Sequence, residues 1–204
     1  KNWQVYGAII IGNSCLIILL YGLQSWVPTM LLRVYEWDLI QSGRVYGLIA
    51  MLAGSAGVLS GPIVLRLMSS NDIRAPHFKL AIFGISMATL SLIMLPFQPN
   101  VNIALIFVTL ASFFVTLPLA GTSSAMVIVS PNRIRGVITG IYVVVTSVFG
   151  LVLGPFLVAS STDFIFQDPT AIAKSLALVS ILIGPIGIFF MLKGINYFGE
   201  MKNV

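Results

Sequence analysis

Six unbroken apolar stretches, each of about 20 residues or more, constrain this chain most, because that is the length a helix needs to cross the hydrocarbon of a bilayer. With approximate edges they run 5–31, 42–68, 78–97, 101–129, 134–160 and 173–192. The separators are polar or helix-breaking: Glu36-Trp37-Asp38, Ser69-Ser70-Asn71-Asp72, Gln98-Pro99-Asn100, Pro131-Asn132-Arg133, Asp163 and Asp168-Pro169. Barrel strands are excluded, since a strand needs only roughly 10 residues and alternates in polarity. The reading is an all-α membrane protein with six transmembrane helices. A soluble fold would need far more polar surface than 8% charged residues supply, against roughly 25% in an average soluble domain. The mean hydropathy of +1.03 agrees.

Charge gives the orientation. Six crossings put both ends on one side, and that side carries Lys1, Arg66, Arg74, Lys79, Arg133, Arg135, Lys193 and Lys202. The other side carries only Arg33, Arg44 and Lys174. The positive-inside rule then places both chain ends in the cytoplasm. The net charge of +5 is scattered singly between apolar runs, without the basic patch that nucleic-acid binding requires. No charged residue falls near a span centre, so any proton-coupling carboxylate is expected outside these six helices. The single Cys15 permits no internal disulfide. The chain starts at Lys1 rather than Met, which gives the expectation of further residues upstream.

Two spans carry stripes of small residues. In the second, Gly43, Gly47, Ala50, Gly54, Gly57 and Gly61 fall within an arc of roughly 80° at helical spacing. The fifth repeats this with Gly136, Gly140, Ser147, Gly150 and Gly154. Such stripes let helix backbones approach closely, either within a static bundle or at a moving interface. Uncharged polar residues form other faces: Asn13, Tyr21 and Gln24 on the first span, Thr109, Ser112, Thr116 and Ser123 on the fourth, Thr139, Tyr142 and Thr146 on the fifth. They are candidates to line a shared water-filled cavity, although Ser and Thr hydroxyls also bond back to their own helices. Pro118 with Gly121, and the pairs Gly61-Pro62, Gly154-Pro155 and Gly184-Pro185, are expected to interrupt helices, as in transporter binding sites and hinges.

Enzyme chemistry finds little support. His77 is the only histidine, and no spacing of metal ligands or acid–base pairs appears, so neither a metal nor a cofactor is expected. Gly121-Thr122-Ser123 faintly echoes an intramembrane serine protease motif with His77 as its base. A self-contained six-span channel or scaffold, oligomerising through the small stripes, is the alternative to a transporter.

Several stretches together carry a family resemblance. They are Tyr21-Gly22-Leu23-Gln24-Ser25-Trp26-Val27-Pro28-Thr29 with Arg33, the loop Pro131-Asn132-Arg133-Ile134-Arg135-Gly136, Gly150 with Gly154-Pro155, Asp163-Phe164-Ile165-Phe166, and Ser175-Leu176-Ala177-Leu178-Val179. The whole chain, 1–204, resembles the C-terminal six-helix half of major facilitator superfamily transporters, and within them the spinster-like branch. The resemblance implies alternating access with an N-terminal six-helix half, in one polypeptide, in a bacterial inner (cell) membrane. It implies a small amphiphilic or anionic substrate, lipid-like or an organic anion, in contact with membrane lipids. Asn13, Tyr21, Gln24, Ser112, Thr116, Thr139, Tyr142 and Thr146 would line the cavity. Gly61, Arg66, Arg133 and Arg135 would form a cytoplasmic gate, and Gly43, Gly47, Gly54, Gly57, Gly150 and Gly154 the interface between halves. One departure stands out: Leu65 occupies the position of the family's gate aspartate, beside Arg66.

Overall fold

The computed structural model describes residues 3–70, 73 and 75–202. Among these, six helices are long and apolar enough to cross a membrane: α1 (Trp3–Val34), α2 (Leu39–Ser70), α3 (Pro76–Phe97), α4 (Val101–Val129), α5 (Arg135–Phe166) and α6 (Ile172–Lys202). All six expected spans are present. Of the residues used for the orientation, Lys1 and Arg74 lie outside the described residues, as do Asn71 and Asp72 of the second separator.

Local chemistry explains the helix starts. The Asp38 carboxylate accepts from the N–H of Ile40 at 3.0 Å and caps α2. The Asn100 side chain does the same for Asn102 at 2.9 Å and caps α4. Each satisfies a donor that the first turn leaves open. Pro76 opens α3, where its missing N–H costs nothing.

The largest departure from expectation is the length of α6, which continues well past residue 192. Lys193 and Gly194 read as an exit, yet Ile195, Tyr197 and Phe198 remain packed on the core, and the Phe198 and Phe78 rings lie 5.9 Å apart. Lys193 itself sits 4.5 Å over the Phe189 ring. Likewise α5 runs on through a π turn at Ser161–Phe166, held to α6 by the Thr162 hydroxyl donating to Ser175 Oγ at 2.7 Å.

Proline breaks fewer helices than expected. Only Pro118 separates α-helical segments, Val101–Thr116 and Leu119–Val129. Pro62, Pro155 and Pro185 lie inside continuous helix. A bundle tolerates such prolines when neighbouring groups absorb the local distortion. The Trp26 indole of α1 also ties the two helices together there, donating to the Pro155 carbonyl at 3.0 Å. The irregularity within α2 is instead a π turn at Ala50–Gly54.

Helix α1 is the hub, packed along its length against α5 and α6 and touching α2 and α4 as well. Behind it, α3 packs on α6 and α4. In its most apolar window α1 is 61% buried, whereas α2 and α5 are only 22% and 28% buried. The two helices with small-residue stripes are therefore the least covered of the six.

Close approach of α2 to α4 depends on Gly57. A Cβ there would lie 2.5 Å from the Phe113 carbonyl oxygen and against the Thr116 hydroxyl. A Cβ at Gly43 meets nothing within 4 Å. Gly57→Ala should therefore lose about 1–3 kcal/mol by overpacking, while Gly43→Ala stays within about 0.5 kcal/mol. Thermal unfolding in detergent checks the pair, and equal melting temperatures would refute the packing account.

Candidate functional site

Three helices enclose a cavity of about 470 Å³, open on one side. Leu20 and Gln24 come from α1, Ser112, Thr116 and Leu119 from α4, and Tyr46, Ala50, Gly54, Ser55, Val58 and Leu59 from α2. The backbone irregularities of both walls lie here. The π turn of α2 contributes Ala50 and Gly54, and the proline break of α4 falls beside Leu119. No charged side chain is among these lining residues.

The polar groups differ in how free they are. The Thr116 hydroxyl donates back to the Ser112 carbonyl at 2.9 Å. Ser112 Oγ lies beside the Tyr46 hydroxyl yet completes no hydrogen bond of ordinary geometry. Gln24 is exposed in the cavity mouth, with both amide functions open to a ligand or to water. Together they form an apolar pocket with a few hydrogen-bonding groups, the usual constitution of a small-molecule site.

The other expected cavity residues are not gathered here. Asn13 is 2% exposed, and its Oδ1 accepts from the Thr122 hydroxyl at 2.7 Å. Tyr142 is equally buried, its hydroxyl beside Thr122 and 3.5 Å from Ser123 Oγ. These four side chains form a polar cluster that ties α1, α4 and α5 together. Tyr21 packs on Gly150 and Gly154 of α5. Thr146 is buried and donates back to the Tyr142 carbonyl at 2.8 Å. Thr139 lies about one turn before Tyr142, half-buried, with its hydroxyl unpaired. Of the eight expected residues, Gln24, Ser112 and Thr116 thus line the cavity. Tyr46 also lines it, and sequence reading missed it. Its signal was there: Tyr46, Ala50 and Gly54 follow at i, i+4 and i+8, so the tyrosine shares a helix face with two members of the small-residue stripe.

The stripes divide as well. Gly57 faces α4, while Gly150 and Gly154 face α1, where a Cβ at Gly154 would lie 2.7 Å from the Ile18 carbonyl. These three are buried within the six-helix unit and present no free surface. Gly54 is half-buried, and Gly43 and Gly47 are exposed with open space above them. Among the expected gate residues, Gly61 is buried against the Leu117 carbonyl of α4. Arg66 and Arg133 are exposed, and Arg135 donates to Asn132 Oδ1 at 2.6 Å. Leu65, at the departure from the family pattern, is 8% exposed and packs on Leu80, Leu117 and the space above Gly121. A carboxylate in that apolar niche would be costly, so leucine fits the local packing.

The protease echo fails on geometry. Ser123 Oγ donates to the Leu119 carbonyl at 2.9 Å, and His77 faces the Gly121 backbone. A serine nucleophile needs a base accepting its proton, and this one gives it to its own helix.

The profile of the Major Facilitator Superfamily matches residues 1–155, and the chain belongs to that family. Membership agrees with the six helices, among the described residues, that are long and apolar enough to cross a membrane. Its fold is similar to that of a bacterial homologue of the human lysosomal transporter Spinster in two inward-facing crystal structures. The occupied form aligns with a TM-score of 0.63 at 13% identity, over 98% of this chain and 49% of that one. The unoccupied form gives a TM-score of 0.68 at 14% identity, over 95% of this chain and 46% of that one. The chain thus spans about half the length of these transporters. No curated protein sequence matches it significantly.

The polar cluster predicts a separation of roles. Thr122→Val should lower stability by about 0.6–2 kcal/mol, the range of interhelical hydrogen bonds in membranes, because it strands the Asn13 amide. Substrate affinity of the full protein should stay unchanged. Melting temperature and a binding isotherm on one preparation check both; a large affinity loss at unchanged stability would place Thr122 at the ligand.

Proposed function

We propose that residues 1–204 form one half of a secondary active transporter that pairs with an N-terminal six-helix half of the same polypeptide. The halves rock around a site at mid-membrane, both ends of this half facing the cytoplasm. The substrate is an amphiphile or organic anion. The observation that carries this reading is the open cavity between α1, α2 and α4, flanked by a helix whose exposed face includes Gly43 and Gly47. A cavity wall built from one side only, beside a poorly covered helix, suits closure by a second body.

The chemistry of the wall narrows the substrate. Tyr46, Gln24 and Ser112 offer hydrogen bonds, and Leu20, Val58, Leu59 and Leu119 offer apolar surface. Such a wall holds an uncharged polar group and an alkyl portion. Any net charge on the substrate would be paired by the second half, where this reading also places the proton-coupling carboxylate. The structural likeness to a transporter described as a Spinster homologue supports the same class. The exposed Gly43, Gly47, Gly136 and Gly140 are then the small residues left for contact between halves.

Gly54→Trp tests the site. A Cβ at Gly54 meets only Thr116 Cγ2, at 4.0 Å, so the indole has room to enter the cavity without forcing α2 from α4. In proteoliposomes of the full-length protein, uptake of lysophospholipid or organic anions should fall at least about tenfold, equivalent to about 1.4 kcal/mol. Gln24→Ala should raise KM with kcat little changed. Wild-type flux surviving in Gly54→Trp would sink the cavity assignment, and flux indifferent to any gradient would favour a passive channel.

A further inference from the structure

A second concavity lies on another face of the bundle, between α3 and α6. It has a volume of about 440 Å³, and its walls are almost entirely apolar: Ile93 and Phe97 from α3, Phe166 at the end of α5, and Leu178 and Ile181 from α6. Among the described residues, Lys174 is the only charged one lining it. The groove starts at loop level, where Phe97, Phe166 and Lys174 meet, and Ile181 lies about 10 Å further along α6 at 1.5 Å per residue. None of its walls belongs to α1, α2 or α4, so it is separate from the transport cavity.

We propose that this groove seats one anionic phospholipid, with an acyl chain along the apolar walls and the phosphate on Lys174. The inference rests on the fold and does not depend on the transport reading. Three observations converge on that occupant. An apolar channel that opens at the helix ends matches the depth profile of a lipid, tail inward and headgroup at the loops. Lys174 is exposed and its long stem can hold the ammonium at headgroup level. It also stands in the first turn of α6, whose open N–H groups add positive potential at the same place.

The neighbouring acid leaves this charge available. Asp168 spends its Oδ1 on Thr170, accepting from the N–H at 2.8 Å and from the hydroxyl at 2.7 Å. Those bonds chiefly hold its carboxyl below the ordinary value, and the Lys174 charge is the weakest influence on it. The cation is therefore not locked in a tight ion pair with that loop. A zwitterionic lipid brings its own ammonium to compete for the phosphate, whereas phosphatidylglycerol does not. Preference for the anionic headgroup follows.

Native mass spectrometry of the full-length protein, titrated with phosphatidylglycerol and phosphatidylcholine of identical acyl chains, tests this. The wild type should retain one phosphatidylglycerol at least about tenfold more tightly than phosphatidylcholine. Lys174→Gln should lose that preference and Lys174→Arg should keep it. Ile181→Trp, at a half-exposed position inside the groove, should weaken retention of both lipids. Both positions face outward, and size-exclusion profiles confirm that the variants remain folded. Equal affinity for the two lipids in the wild type overturns the proposal. So does an unchanged preference in Lys174→Gln, or unchanged retention in Ile181→Trp. A lipid-independent dimer abolished by Ile181→Trp would put a second copy in the groove and overturn it equally.

Discussion

Polar groups inside a bilayer have no water to turn to, and much of this structure follows from how most of them find a partner. Most hydroxyls take the nearest solution, the carbonyl one turn back. Ser14 bonds to Ile10, Thr109 to Leu105, Ser91 to Met87 and Ser130 to Met126, all at 2.7–2.8 Å. A side chain satisfied in this way behaves almost as an apolar one and packs anywhere. The groups that cannot do so, because the side chain is an amide or a phenol, decide where helices must meet. Asn13 brings α4 to α1, and Tyr142 draws α5 onto the same cluster. Two longer reaches serve the helix ends: Tyr6 donates to the Val129 carbonyl at 3.1 Å, and Tyr35 to the Gln98 carbonyl at 2.8 Å.

Small residues supply the complementary constraint. Where α1 meets α5, Gly22 and Gly154 face each other so closely that a Cβ on Gly154 would lie 3.0 Å from the Gly22 nitrogen. Where α2 meets α4, Gly57 and Gly61 lie on the carbonyls of Phe113 and Leu117. Without apolar solvent exclusion between helices, close backbone contact of this kind is a principal source of association in lipid. The stripes therefore serve the inside of the six-helix unit along one part of their length. Along the other part, at Gly43 and Gly47, they leave open surface.

The spans were legible in the sequence because hydropathy and length alone define a crossing, and 101–129 agrees to the residue with the folded helix. The family was legible because short motifs such as the loop from Pro131 to Gly136 stand between spans. The cavity was legible only in part. Helical periodicity says which residues share a face, but not which helix that face meets. Asn13 and Tyr142 stand on polar faces as Gln24 and Ser112 do, and nothing local separates the two pairs. What separates them is Thr122, 109 positions from Asn13 in the chain. Tyr46 was missed for the opposite reason, since it interrupts a stripe of small residues and reads as a bulky intruder.

Backbone irregularity gives an independent route to the same cavity. In lipid, a helix that departs from regular hydrogen bonding must do so where protein or a water-filled space satisfies the freed groups. Apart from the prolines carried inside continuous helix, the described residues show two departures in the interior of membrane helices, the π turn at Ala50–Gly54 and the break at Pro118. They lie on different helices, yet both border the same space, and Gly54 and Thr116 approach each other across it. Neither irregularity requires the other for packing, since Gly57 and Gly61 already join the two helices nearby. A single open cavity that accommodates both is the economical account of why they coincide. That argument uses no side-chain identity, so it stands apart from the hydrogen-bonding groups that mark the same place.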